Sequence, residues 1–199
     1  MVANQISIMT QDPVRQYALR LLTQRPYSKS RLLFKLRQKG YEVEAEAVLA
    51  ELEAKGAIND QRFAQAFVEQ SQLQRPSGRQ RVILALRRRG IDQEAAMAAW
   101  QKWEEAAGKE MTEMAQGGVP RVVADGVLGG VRGKVAGGSP VAAAALAAAR
   151  SRYQRGDLDL QGWAARQKLL AFLNRRGFVY TEAKTALAQL LQDEGISGT

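Results

Sequence analysis

Sixteen of the 29 lysines and arginines fall into three runs that contain no acid. Between Arg25 and Gly40 stand Arg25, Lys29, Arg31, Lys35, Arg37 and Lys39; between Arg75 and Gly90 stand Arg75, Arg79, Arg81, Arg87, Arg88 and Arg89; from Trp163 to Phe178 stand Arg166, Lys168, Arg175 and Arg176. A guanidinium fork pairs bidentately with carboxylate and with phosphate, so these runs suit an acidic protein surface or a phosphate backbone. They say more than the net charge of +9 at pH 7, which a merely solvated arginine-rich surface would also give. Absences narrow the remaining chemistry. The 199 residues include no histidine and no cysteine, which removes a histidine general base, a serine or cysteine triad, the usual zinc ligands and any disulfide. Carboxylates and lysines remain, yet the acids cluster on predicted outer faces, as Glu42, Glu44, Glu46, Glu51 and Glu53 do on one helix. Gly133-Lys134 has the look of a phosphate loop and fails the pattern, because Leu128 stands where a glycine is needed and Val135 where serine or threonine is needed. The expectation is a protein that is not an enzyme and carries no cofactor and no metal.

The elements that must position the cations repeat. Lys35-Leu36-Arg37-Gln38-Lys39-Gly40, Ala85-Leu86-Arg87-Arg88-Arg89-Gly90 and Phe172-Leu173-Asn174-Arg175-Arg176-Gly177 share one plan, and fourteen positions before the first two glycines lie Pro26 and Pro76, each after an arginine. Positions four, seven and eight before each glycine hold Leu36, Leu33 and Leu32; Leu86, Ile83 and Val82; Leu173, Leu170 and Leu169. That spacing is one face of a helix, and the glycine just past its end is the stop. The cations beside the glycine also suit the negative end of the helix dipole, a purely structural reading of Lys39, Arg89 and Arg176.

A period near fifty residues predicts stacked units of two or three helices, and each unit here reads as three. The first unit covers residues 13–57, with Ser28 as an N-cap; the second covers 58–107; the third covers 142–194. Residues 1–12 and 195–199 read as tails. The stretch 108–141, which contains eight glycines between Gly117 and Gly138 and Pro120 and Pro140 besides, reads as a linker inserted before the third unit. Nothing predicts a sheet, so the expected fold is all-α, an elongated array of three helix-turn-helix-like repeats. The aromatic residues, Trp100 and Trp103 included, are expected in the core. No apolar run is long enough for a membrane span and no secretory signal is visible, which predicts a soluble cytoplasmic monomer.

Positions nine and two before each glycine lie seven apart on one flank: Arg31 with Gln38, Arg81 with Arg88, Lys168 with Arg175. Stacked units would align them into a track.

The sequence Asn59-Asp60-x-Arg62-Phe63-Ala64, then Phe67, Gly78, Arg81, Leu86 and Arg89-Gly90-Ile91, resembles the central signature of the RecX regulatory family. Tyr17-Ala18-Leu19-x-Leu21-Leu22 with Ser28 and Lys35-Leu36 resembles that family's first unit, and Arg175-Arg176-Gly177-Phe178 its third. The glycine-rich insertion and Ala85, where a carboxylate is common, depart from the family pattern. The resemblance implies a non-enzymatic modulator of the RecA recombinase. Such a protein binds along the groove of the RecA filament on single-stranded DNA and depresses ATP hydrolysis, strand exchange and coprotease activity, thereby regulating DNA repair and the SOS response. In that setting Arg79, Arg81, Arg87 and Arg88 would form the centre of the track, flanked by Arg31 and Lys35 on one side and Lys168, Arg175 and Arg176 on the other, meeting RecA, the single-stranded DNA or both. The alternative is a tandem helix-turn-helix-like protein that binds DNA directly through its basic second helices; a helical scaffold for an unrelated acidic protein is a third reading.

Overall fold

The computed structural model describes residues 13–115, 139–156 and 159–196. Among the described residues the chain forms nine helices and no strand: α1 (Pro13–Gln24), α2 (Lys29–Gln38), α3 (Glu44–Ala54), α4 (Asp60–Gln74), α5 (Arg79–Arg87), α6 (Gln93–Ala115), α7 (Pro140–Tyr153), α8 (Trp163–Arg175) and α9 (Tyr180–Asp193). The all-α repeat architecture is therefore the one the glycine period predicts, with α2, α5 and α8 as the three basic helices.

Each basic helix begins and ends for local reasons. Ser28 caps α2, its Oγ accepting the Arg31 amide at 3.3 Å, and Asn59 caps α4 by accepting the Arg62 amide at 2.8 Å. At the other end Gly40, Gly90 and Gly177 take positive φ of 97°, 80° and 82°. The amide of the next residue then turns back to the leucine five positions earlier: Tyr41 to Leu36 at 3.1 Å, Ile91 to Leu86 at 3.2 Å, Phe178 to Leu173 at 3.2 Å. This closing loop satisfies carbonyls a helix end would leave bare and drives the apolar residue after the glycine inward; Ile91 and Phe178 are buried.

The buried aliphatic residues of the three basic helices, Leu32 and Leu36, Val82 and Leu86, Leu169 and Leu173, lie where the spacing puts them. They serve two cores. Val14, Ala18, Tyr27, Leu49, Leu52 and Ile58 close around α2 in the first unit. The second and third units share one core, in which Trp100, Leu146, Leu160, Phe178 and Leu190 are buried together. What joins them is α7, whose Val141, Ala143, Ala144, Ala145, Leu146, Ala148 and Ala149 are buried round most of its circumference. Alanine lets this helix approach α9 and α6 closely, and a helix apolar all round is stable only when covered on every side.

Some boundaries differ from expectation. The last helix of the second unit, expected to end near Ala107, continues to Ala115 with Gly108 inside it. A single interior glycine costs about 1 kcal/mol against alanine, too little to end a helix rich in alanine and glutamate. In the third unit α7 starts at Pro140, as suits a residue without an amide hydrogen at the first helical position, and α8 starts at Trp163, leaving Leu160 buried ahead of it. The remainder of the inserted stretch, 116–138, and the tail 1–12 lie outside the described residues, as does the end of the C-terminal tail.

Candidate partner-binding surface

The units meet where the glycine end of one basic helix touches the start of the preceding one. At the first junction Ser28 Oγ donates to the Arg89 carbonyl, and a Cβ on Gly90 would fall 2.3 Å from Ser30 Oγ. Ser28 thus serves two carbonyl-and-amide partners at once, one in its own helix and one sixty-one residues away. Beside it the Lys29 amide donates to Asp60 Oδ1 at 2.8 Å. At the second junction the contact is tighter. The Gly78 amide donates to the Arg176 carbonyl at 2.8 Å, and a Cβ on Gly78 would lie 2.0 Å from the Gly177 carbonyl oxygen. Arg176 Nη1 donates to the Pro76 carbonyl at 2.8 Å and Arg81 Nη1 to the Arg175 carbonyl at 3.0 Å.

These contacts divide the nine basic residues expected on the track. Arg31, Arg79, Arg81, Arg87, Arg88, Lys168 and Arg175 are exposed, and Lys35 is half-buried with its Nζ donating to Gln38 at 3.0 Å. Arg176 is the exception. Its guanidinium is partly buried, sits 5.1 Å from the centre of the Phe172 ring and holds the second junction through Pro76. Arg81 has both roles, exposed at its charged end yet bonded across the junction. Arg25, Arg75 and Arg89 belong beside them although the track did not include them: Arg89 stacks on Phe67 at 4.4 Å, and Arg25 donates from Nε to the Tyr27 hydroxyl at 2.9 Å. The recurring Arg-Pro pairs Arg25-Pro26 and Arg75-Pro76 were the sequence signal for the first two.

The charge placement works against helix stability. None of α2, α5 and α8 has an acid in its first turn, and Lys29, Arg31, Arg79 and Arg81 stand at the positive ends of their helix dipoles, where cations are unfavourable. Burial, and then the neighbouring Arg31, lowers the basicity of Arg89; burial, then Arg81, Arg155 and Arg75, lowers that of Arg176. Acids neutralise other cations instead: Lys29 pairs with Glu53 at 2.6 Å and Arg37 with Glu46 at 2.7 Å, both on exposed faces. Among the described residues no group of carboxylates is placed to hold a metal, and no helix is long and apolar enough to cross a membrane.

Between the cations lie exposed apolar side chains at one repeated position. Phe34, 62 % exposed, follows Arg31 by three residues in α2; Leu84, 47 % exposed, follows Arg81 by three in α5. Trp100, by contrast, is buried in the core, and the partly buried Trp103 packs against it with ring centres 4.9 Å apart and planes tilted by 50°.

Comparison with known proteins identifies this arrangement. Residues 15–52 match the family model of the first three-helix domain of RecX, and residues 59–99 that of its second three-helix domain. The chain carries the first two three-helix domains of the RecX family. Two proteins named regulatory protein RecX, from two strains of Thermus thermophilus, are each 51% identical to it over 53 residues, 27% of this chain and 37% of theirs. The matched part is thus little more than a third of those relatives' length. Across nearly the whole chain the RecX fold recurs: the crystal structure of RecX from Lactobacillus salivarius superposes with a TM-score of 0.58 at 18% identity, covering 89% of this chain and 94% of that one. A second structure of regulatory protein RecX gives 0.59 at 18% identity, covering 86% and 68%. In RecX terms the contact of Ser28 with Arg89 joins the first domain to the second.

Proposed function

We propose that this protein binds RecA and RecA–single-stranded-DNA filaments and modulates them, mainly by inhibiting recombinase, ATPase and coprotease activity, in the cytoplasm, and so regulates DNA repair and the SOS response. The two RecX domains support a regulatory role of this kind. The observation that carries the choice of a protein partner is the mixed character of the basic faces: Arg31, Phe34 and Gln38 share one face of α2, and Arg81, Leu84 and Arg88 the same face of α5. Phosphates alone leave the exposed phenyl and isobutyl groups unused, so a protein surface with an apolar centre lies against this face even where its cations also meet a bound strand. Tandem units that repeat this face suit a partner that is itself a repeating filament.

The test is single-stranded-DNA-dependent ATP hydrolysis by the cognate RecA, with DNA saturating, as this protein is added. Hydrolysis is expected to fall at substoichiometric protein, and the variant Arg79→Glu/Arg87→Glu to lose at least ten-fold in inhibitory potency. Both side chains are exposed, and the gain from an acid at the start of α5 offsets the loss from one in its last turn, so the loss would not come from unfolding. Full ATPase activity in excess protein, with tight binding to bare DNA, would instead support the direct DNA-binding alternative.

A further inference from the structure

The period that spaces the helices also gathers arginines across units. At the first junction Arg25 and Arg31 of the first unit and Arg88 and Arg89 of the second line one cavity of about 250 Å³, which opens to solvent beside Ser28. The counterparts at the second junction are Arg75 and Arg81, fifty positions on, with Arg175 and Arg176, which precede the third glycine as Arg88 and Arg89 precede the second. They too converge: Arg81 bonds the Arg175 carbonyl, and Arg75 and Arg81 both press on the charge of Arg176.

Among the described residues no ion pair neutralises either group. No carboxylate lines the first cavity, and among the described residues none of these eight arginines forms an ion pair, whereas Arg15, Lys29, Arg37, Lys55 and Arg150 all do. Arg25 spends one donor on Tyr27 and Arg89 one on Ala85, while the side chains of Arg31 and Arg88 bond no atom of the described residues. The amides at the start of α2 are already engaged, Lys29 by Asp60 and Arg31 by Ser28, so the site rests on the guanidinium groups alone. Convergent guanidinium groups match the oxygens and charge of a phosphoryl group. The volume lies just below the usual range for small-molecule pockets, about 300–1,000 Å³, so it takes a phosphate and not a whole nucleotide. Recurrence at successive junctions fits a ligand whose phosphates also recur.

We infer that each repeat junction is a phosphate clamp for a nucleic-acid backbone, the first formed by Arg25, Arg31, Arg88 and Arg89 and the second by Arg75, Arg81, Arg175 and Arg176. The phosphate is held at the seams between units, by residues of two units at a time, and not by one basic helix alone.

The test uses the full chain without recombinase, so its outcome is separate from that of the RecA reading. Binding of a short labelled single-stranded oligonucleotide is measured across a salt series for wild type, for Arg31→Gln/Arg88→Gln, and for Lys102→Gln/Lys184→Gln, which removes the same charge from exposed positions elsewhere. The junction variant should bind at least ten-fold more weakly, with a salt slope shallower by about 0.7 because it neutralises one fewer phosphate of the single strand; the control should keep the wild-type slope. Inorganic phosphate, at matched ionic strength, should raise the melting temperature of wild type more than that of the junction variant. Equal slopes for the junction and control variants would overturn the inference, as would stabilisation by phosphate with no change in oligonucleotide binding, which would indicate a site for free phosphate. Displacement of the oligonucleotide by polyglutamate as effectively as by unlabelled strand would overturn it in favour of an acidic protein surface.

Discussion

Replacing Gly78 with alanine tests the second junction directly. Its backbone, φ −71° and ψ 163°, is extended and open to any residue, so the change carries no local strain and by itself would stabilise the chain by roughly 0.4–1 kcal/mol through the unfolded state. The surroundings reverse the sign. The added Cβ would sit 2.0 Å from the Gly177 carbonyl oxygen, 2.1 Å from its carbon and 2.3 Å from the Phe178 nitrogen, all backbone atoms that no rotamer change can move. Relief requires the end of α8 to retreat by about 1 Å or more, which breaks the bonds from Gly78 to Arg176 at 2.8 Å, Arg176 to Pro76 at 2.8 Å and Arg81 to Arg175 at 3.0 Å. At roughly 0.5–1.5 kcal/mol net for each bond, the expected loss is about 2–4 kcal/mol. Gly162→Ala is the companion measurement, since Gly162 has nothing within 4 Å and an ordinary φ of −82°; it should be neutral or slightly stabilising. Urea denaturation followed by helical circular dichroism and by tryptophan fluorescence reads both, because Trp100 lies in the second unit and Trp163 in the third. If Gly78→Ala unfolded within about 0.5 kcal/mol of wild type, the close approach of α5 to the end of α8 would be refuted.

Two further outcomes follow from the same geometry. Ser28→Ala removes the N-cap of α2 and the donor to the Arg89 carbonyl together, so urea unfolding should show a loss of roughly 1–2 kcal/mol, and a loss below about 0.3 kcal/mol would mean that the serine does neither job. Glu182 has its carboxyl held above the ordinary glutamate value by burial and by Glu104, against the bond it accepts from the Val179 amide at 2.9 Å. A carboxyl raised in the folded state binds more protons folded than unfolded, so it contributes stability at low pH that is lost as pH rises through the raised value. Glu182→Gln keeps the acceptor and should flatten the fall in urea midpoint just above the ordinary glutamate range; Asp60, raised chiefly by burial, supplies the slope that remains, and an unchanged pH profile would exclude this role for Glu182.

The helices were legible because each is specified within about fourteen residues. The aliphatic residues four and eight before Gly40, Gly90 and Gly177 and the positive φ of those glycines are local facts, and local facts leave a periodic trace. The end of α6 was not legible, since Gly108 looks the same in a sequence whether it stops a helix or rides inside one. The junctions were hidden for a different reason. Ser28 meets Arg89 across 61 residues, Arg81 meets Arg175 across 94 and Arg176 meets Pro76 across 100, and no period within one helix says what its end will touch. Lys39, Arg89 and Arg176 therefore read alike as cations at a negative helix end, although Arg89 and Arg176 sit at seams and Lys39, at the end of the first basic helix, is exposed.

The unequal spacing of the glycines bears on how the seams persist. The second follows the first by fifty residues and the third follows the second by eighty-seven, yet both seams are built alike, with the arginine and glycine that end one basic helix seated on the first turn of the basic helix before it. The contact runs directly from α5 to α8, through the bonds from Arg81 to the Arg175 carbonyl and from Gly78 to the Arg176 carbonyl. Lengthening a connection between fixed ends costs only about 0.6 kcal/mol per doubling, less than one of the seam's three hydrogen bonds can return with its packing. The seam itself has no such tolerance. Where the first junction accommodates the Ser28 side chain as a bridging group, the second leaves no room for a single methyl group at Gly78, and the shared core of α6, α7 and α9 behind it fixes that approach. Insertions between α6 and α7 should therefore be far better tolerated than any side chain at position 78, although they change dozens of residues and the substitution changes one.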